Sequence, residues 1–192
     1  MPSVFSHAIA AVAVGGVAVG RPPRLVIWGL GAICAVVPDL DVISFHFGLP
    51  YAHMLGHRGL SHSLLFAAGL ASIMTVLVRR TRMASPSGPR LWAFFFLTTA
   101  SHGVLDAMTN GGLGVAFFAP FSDARYFFPW RPIVVSPISV GEFFGPRGPR
   151  VMWSELGWVW VPSAVVFLVG VALRQGSGKS AVEAGRRRPS LG

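Results

Sequence analysis

Residues 91–106 read Leu-Trp-Ala-Phe-Phe-Phe-Leu-Thr-Thr-Ala-Ser-His-Gly-Val-Leu-Asp. The stretch is apolar enough to lie in a bilayer, yet it closes on His102 and Asp106, four residues apart. On an α-helix that spacing puts both side chains on one face, one turn apart, where they can share a metal or bind adjacent ones. Ionisable groups in a membrane segment are costly, so they face a protein interior or an aqueous cavity. For this pair alone, a hydrogen bond satisfying two buried groups is the plainer alternative.

The same combination recurs outward along the chain. His7 interrupts the apolar run 4–20, Asp39 and Asp41 close the run 25–45, and His57 and His62 stand at the entry to 60–78. With 91–108 and 157–173 these runs make five candidate spans, each near the length that crosses a hydrocarbon core. Hydrophobic residues make up 53% of the 192 and charged residues only 12%, with a mean hydropathy of +0.60, far from a soluble domain. The first run has no basic residue ahead of it, and Arg21 and Arg24 follow it. That is the wrong polarity for a signal peptide and reads as a retained helix.

The expected fold is therefore all-α, a polytopic membrane helix bundle of about five spans over residues 1–173. Residues 174–192 form a basic tail expected to be disordered. Arg supplies 15 of the 16 basic residues, in short clusters between apolar runs. This is a topology signal and argues against nucleic acid as a partner. Eleven basic residues fall in the turn 21–24, the loop 79–90 and the tail, and five elsewhere, four of these in the long segment 109–156. The positive-inside rule then puts the C-terminus in the cytoplasm and the N-terminus outside. All seven ionisable residues consequently fall near the outer face. Charge asymmetry and ligand clustering are independent signals, and they agree.

Imidazoles and carboxylates together suit a divalent metal, zinc first and manganese second. Cys34 is the one cysteine, so no thiolate site is available and the residue reads as a small buried hydrophobe. The candidate ligands are His57, His62, His102 and Asp106, then Asp39, Asp41 and His7. The pair Asp39 and Asp41 is suited to bridging two cations, or to supplying a general base. Gly59 permits a tight turn, Ser61 or a neighbour caps the third span, and Arg58 is a candidate catalytic contact for a substrate anion or a partner of Asp39 or Asp41. His46 and His53 look like surface residues, with a His53–His57 pair as an option. In the segment 109–156, Asn110-Gly111-Gly112 signals a turn. The aromatics with Arg125 and Arg131 form either an interfacial belt or the wall of a lipid-headgroup pocket.

On these residues the chain resembles the YdjM family of bacterial inner-membrane proteins, described as predicted metal-dependent hydrolases. The matching pieces are Ser6-His7, Pro38-Asp39-Leu40-Asp41, His57-Arg58-Gly59-Leu60-Ser61-His62-Ser63, His102 with Asp106 and Asn110-Gly111-Gly112, and Arg131-Pro132-Ile133. The resemblance implies a bacterial inner-membrane location and metal-activated water acting on a phosphoester or lipid-derived substrate. More remotely, the order of ligands is similar to zinc-dependent phospholipases C and related nucleases, although the second HxxxE-type pair of that group is missing. Lipid phosphate phosphatases also end a signature in HxxxD, but Phe95 and Phe96 stand where their Ser-Arg pair belongs. A non-catalytic metal-binding protein, for transport or assembly, is the competing class.

Overall fold

The computed structural model describes residues 1–18, 25–81 and 86–186; the basic turn at 21–24 and Arg82 lie outside them. Helices form over each apolar run: α1 Val4–Ala18, α2 Leu25–Val36, α3 Leu64–Arg80, α4 Gly88–Ala107 and α7 Val161–Arg186. Two shorter helices, α5 Val140–Phe143 and α6 Gly148–Glu155, precede α7. Among the described residues there is no strand, only isolated bridges Thr109–Ile133 and Val115–Tyr126.

The centre of the bundle is α4. Its buried positions run Leu91, Phe94, Phe95, Thr98, Thr99, His102, Gly103, Asp106 and Ala107, a stripe recurring every three to four residues. The buried hydroxyls of Thr98 and Thr99 donate to carbonyls one turn back, so they need no partner from another helix. Against this stripe pack α1, α2 and α3, with α7 packed on α1. A side chain at Gly31 would collide with the Phe94 ring, so the glycine lets α2 approach α4 closely. Cys34, free and buried, joins the apolar core of Ile27, Ala71, Val78, Leu91, Phe94 and Phe95.

Among the described residues, two helical stretches are long and apolar enough to cross a membrane, Leu25–Phe47 and Gly148–Leu173, of 23 and 26 residues. That is fewer than five, and the reasons are physical. Helices α1 and α3 have only 15 and 17 residues, and α4 carries inward-facing Thr98, Thr99, His102 and Asp106, which dilute its hydropathy. Outward, Leu25, Ile33, Ile73, Leu168 and Leu173 are exposed, as on a surface that meets lipid.

Two expectations about local structure change. The run 25–45 is not one α-helix; at Pro38 it tightens into a 3₁₀ helix, Val37–Phe47. Proline removes a donor and clashes with the preceding turn, and three residues per turn re-aims every following side chain. Of the tail expected to be disordered, the part to Arg186 continues the helix, since extending an existing helix carries no nucleation cost; residues 187–192 lie outside the described residues.

Helices α1 and α3 begin, and α2 and α4 finish, at the end of the bundle where residues 108–136 fold over them. There Phe128 N donates to Ala107 O, Asn110 N to Ile133 O, Leu64 N to Phe117 O and Ala116 N to Arg58 O. This end holds the ionisable residues.

Candidate metal centre

Asp39, His62, His102 and Asp106 bring one donor atom each to within 4.8 Å of one another, all four buried. Hydrogen bonds fix the two imidazole tautomers. His102 Nδ1 donates to Ala35 O at 2.6 Å, and His62 Nδ1 lies 3.1 Å from the Asp41 carboxylate and 3.0 Å from Ser61 Oγ. Both Nδ1 atoms face acceptors, so with the rings neutral both Nε2 atoms offer lone pairs. These two lone pairs face each other at 3.0 Å, an arrangement that calls for a proton or a cation between them.

The surrounding carboxylates favour a cation. His62 Nε2 lies 3.3 Å from Asp106 Oδ2 and 3.8 Å from Asp39 Oδ1; His102 Nε2 lies 3.3 Å from Asp39 Oδ1 and 3.9 Å from Asp106 Oδ2. Four donors bound tetrahedrally at about 2.0–2.2 Å stand roughly 3.3–3.6 Å apart. The observed separations straddle that range. Both carboxylates are buried, and apart from the imidazoles only the Arg58 guanidinium, 3.0 Å from Asp106 Oδ2, meets them among the ion pairs of the described residues. Two carboxylates buried side by side are unfavourable with a single guanidinium to compensate them, and these four donors could hold a metal ion.

Sequence reasoning pairs Asp39 with Asp41, and the structure separates them. Asp41 Oδ1 accepts from His57 Nδ1 at 2.7 Å; its Oδ2 accepts from Ser61 Oγ at 2.5 Å and from Arg58 N at 3.1 Å. Asp41, His57 and His62 form a second ligand-type group, but its atoms are already satisfied by one another. Asp41 thus meets His57 and His62 while Asp39 meets His102, and Asp41 orients His62 as a carboxylate behind a ligand histidine does. Asp41→Asn should weaken metal affinity about 10–100-fold with the fold retained, which a competition titration against a chelator checks.

Arg58 is fully buried and unavailable to a substrate. Its Nε lies 3.0 Å from Asp106 Oδ2, and its terminal nitrogens donate to Gly111 O at 2.9 Å and Thr109 Oγ1 at 3.0 Å. The guanidinium's carboxylate partner is Asp106, and Asp41 is met by the Arg58 backbone N instead. Arg58 also holds a left-handed backbone, φ 62°, a costly conformation for a non-glycine residue that persists only where surroundings over-determine it. Ser63, the neighbour of Ser61, caps α3 by accepting from Phe66 N.

Arg125 is likewise committed, donating to His57 O, Tyr51 O and His53 O, so it clamps the loop that carries His57. Burial pushes the Tyr51 phenol above its ordinary range, opposed by the Arg58 charge, and the hydroxyl stays neutral. Arg131 lies over the Phe127 ring at 4.8 Å. His46 and His53 are exposed, and His53 accepts from Leu55 N without pairing to His57.

Sequence reasoning missed Glu155. Fully buried on α6, it accepts from Ser3 N and Ser3 Oγ at 2.5 Å and from Ser6 Oγ at 2.6 Å. It thereby fixes the start of α1 one residue before His7. The only signal was a lone carboxylate in an apolar stretch.

The profile of the YdjM inner membrane protein family matches residues 1–178. The chain belongs to this family. Over 169 residues it is 40% identical to inner membrane protein YbcI of Escherichia coli (strain K12), covering 86% of this chain and 95% of that one. No solved structure matches the chain. Family and relative together make this an inner-membrane protein, and the residues that carried the sequence resemblance are those that converge at one end of the bundle.

Proposed function

We propose that the chain is a membrane-bound metal-dependent hydrolase acting on a phosphoester or a lipid-derived substrate. The observation that carries this reading is the pair of Nε2 atoms 3.0 Å apart beside the buried carboxylates of Asp39 and Asp106. A divalent cation held there would acidify a bound water and polarise a phosphoryl or acyl oxygen. His62, His102, Asp39 and Asp106 are the residues that would hold it. Asp39 is the ligand nearest solvent, 7% exposed against 0% for Asp106. Its second oxygen is the group available to take the proton from water. Hydrolysis adds that water across the ester bond, and the leaving oxygen takes the proton back.

Asp39→Asn keeps the shape and removes the proton acceptor. Turnover should fall by about 10²–10⁴-fold with folding little changed, in an assay panel of phosphodiesters, phosphomonoesters, phospholipids and esters with zinc or manganese. If folded, metal-loaded protein leaves every substrate intact, the non-catalytic metal-binding reading replaces this one.

The site is further proposed to face outward across a bundle of five spans, with lipids as neighbours. The alternating starts and finishes of α1 to α4 at the site end support this, as does the split of eleven basic residues to five. Reporter fusions after Arg82 and Arg188 should both report cytoplasm, and one after Gly145 the outer side. A cytoplasmic signal at Gly145 reverses the orientation.

A further inference from the structure

We infer that the end of the bundle opposite the metal centre binds the phosphate of an anionic phospholipid, held by Arg79, Arg80 and Arg90. The inference rests on the reading of α3 and α4 as membrane spans and uses none of the metal-centre residues. Arg79 and Arg80 close α3, and Arg90 stands in the first turn of α4. All three are exposed. The Arg79 guanidinium reaches across to α4, where its Nη1 occupies the space in which a side chain on Gly88 would begin. The two helix ends therefore present their cations side by side.

Nothing among the described residues neutralises them. No Asp or Glu occurs between Asp41 and Asp106, and none of the ion pairs of the described residues involves these three arginines. Arginines in the last turn of a helix complement its dipole, which accounts for Arg79 and Arg80. Arg90 is in a first turn, where a cation opposes the dipole, and that turn holds no carboxylate. The partner that fits is an anion from outside the chain.

The surroundings make that anion a lipid. Ile73, Val76 and Leu77 are exposed, and with Arg80 they follow the i, i+3, i+4, i+7 spacing of one helix face. An apolar stripe suited to acyl chains thus runs directly into a cation. On α4, two residues after Arg90, the Trp92 indole donates to Ser72 Oγ at 3.0 Å and stacks on Phe96 with rings 6° from parallel. An amphipathic aromatic beside an arginine is the pattern of the headgroup level. Guanidinium groups suit phosphate there because each can donate two parallel hydrogen bonds. A basic residue near an anionic surface contributes roughly fivefold in affinity, so three contribute about 10²-fold.

The test is native mass spectrometry of the purified full chain in detergent, offered dioleoyl phosphatidylglycerol and dioleoyl phosphatidylcholine in equal amounts. Wild type should retain phosphatidylglycerol in preference. Replacing all three residues, Arg79→Gln with Arg80→Gln and Arg90→Gln, should reduce that preference about 10²-fold, and Arg131→Gln at the other end of the bundle should leave it unchanged. No preference in wild type, or one that survives the triple substitution, overturns the site. Displacement of the lipid by inorganic phosphate, or an acidic protein retained in its place, also overturns it, because the ligand is then not a lipid. Should the triple variant fail to fold, Arg80→Gln alone decides: a fall of roughly fivefold supports the site, and no change contradicts it. The spanning reading fails separately, if reporter fusions after Arg82 and Gly145 report the same side, whatever lipid is retained in detergent.

Discussion

Arg58→Met is expected to lower stability by about 3–5 kcal/mol, the usual consequence of removing one partner of a buried ion pair. The guanidinium is the cation beside Asp106 Oδ2, and it also holds Gly111 O and Thr109 Oγ1. Without it the carboxylate is left buried and uncompensated, and the turn at 109–112 loses two anchors. Arg58→Lys should fall between wild type and Arg58→Met, because one ammonium cannot reproduce three contacts in a plane. A bound cation also neutralises Asp106. The loss should therefore be greater after chelation than in metal-loaded protein, a difference that thermal unfolding in detergent with and without added metal measures. Equal losses in both conditions would separate Arg58 from the metal centre.

His102→Ala should abolish tight metal binding. Four-ligand structural zinc sites are worth about 10–16 kcal/mol, so one ligand in four represents roughly 3 kcal/mol, or about 10²-fold in affinity at least. The substitution also frees Ala35 O and leaves a cavity beside His7, so its effect should exceed that of Asp41→Asn, which removes an orienting contact and no ligand. Equilibrium dialysis with zinc on the two variants gives the order directly. A mere hydrogen-bonded His-Asp pair would leave metal content unchanged in both.

The helical pair His102 and Asp106 was legible because the four-residue spacing and the apolar run name the same face of one helix. The convergence of His7, Asp39, His62 and that pair at one end was legible from the order of spans and from charge. The division of labour between Asp39 and Asp41 was not. It depends on the change from α to 3₁₀ geometry at Pro38, which alters the angle between successive side chains from about 100° to 120°. The fate of Arg58 was hidden for another reason. Its partner lies 48 residues away in sequence, and its left-handed backbone leaves no trace in a string that offers Gly59 as the obvious turn residue. Arg125 read as part of an interfacial belt or a headgroup pocket, and Glu155 was missed, because nothing local names the carbonyls and hydroxyls they meet.

The central claim is that the buried imidazole–carboxylate cluster is a metal site. Elemental analysis of the full chain, purified in detergent without added chelator and then repeated after zinc or manganese addition, tests it most directly. At least one divalent transition metal per chain is the expected result, dependent on His102 and Asp106. Protein that is folded, carries no metal and takes up none from either ion would contradict it.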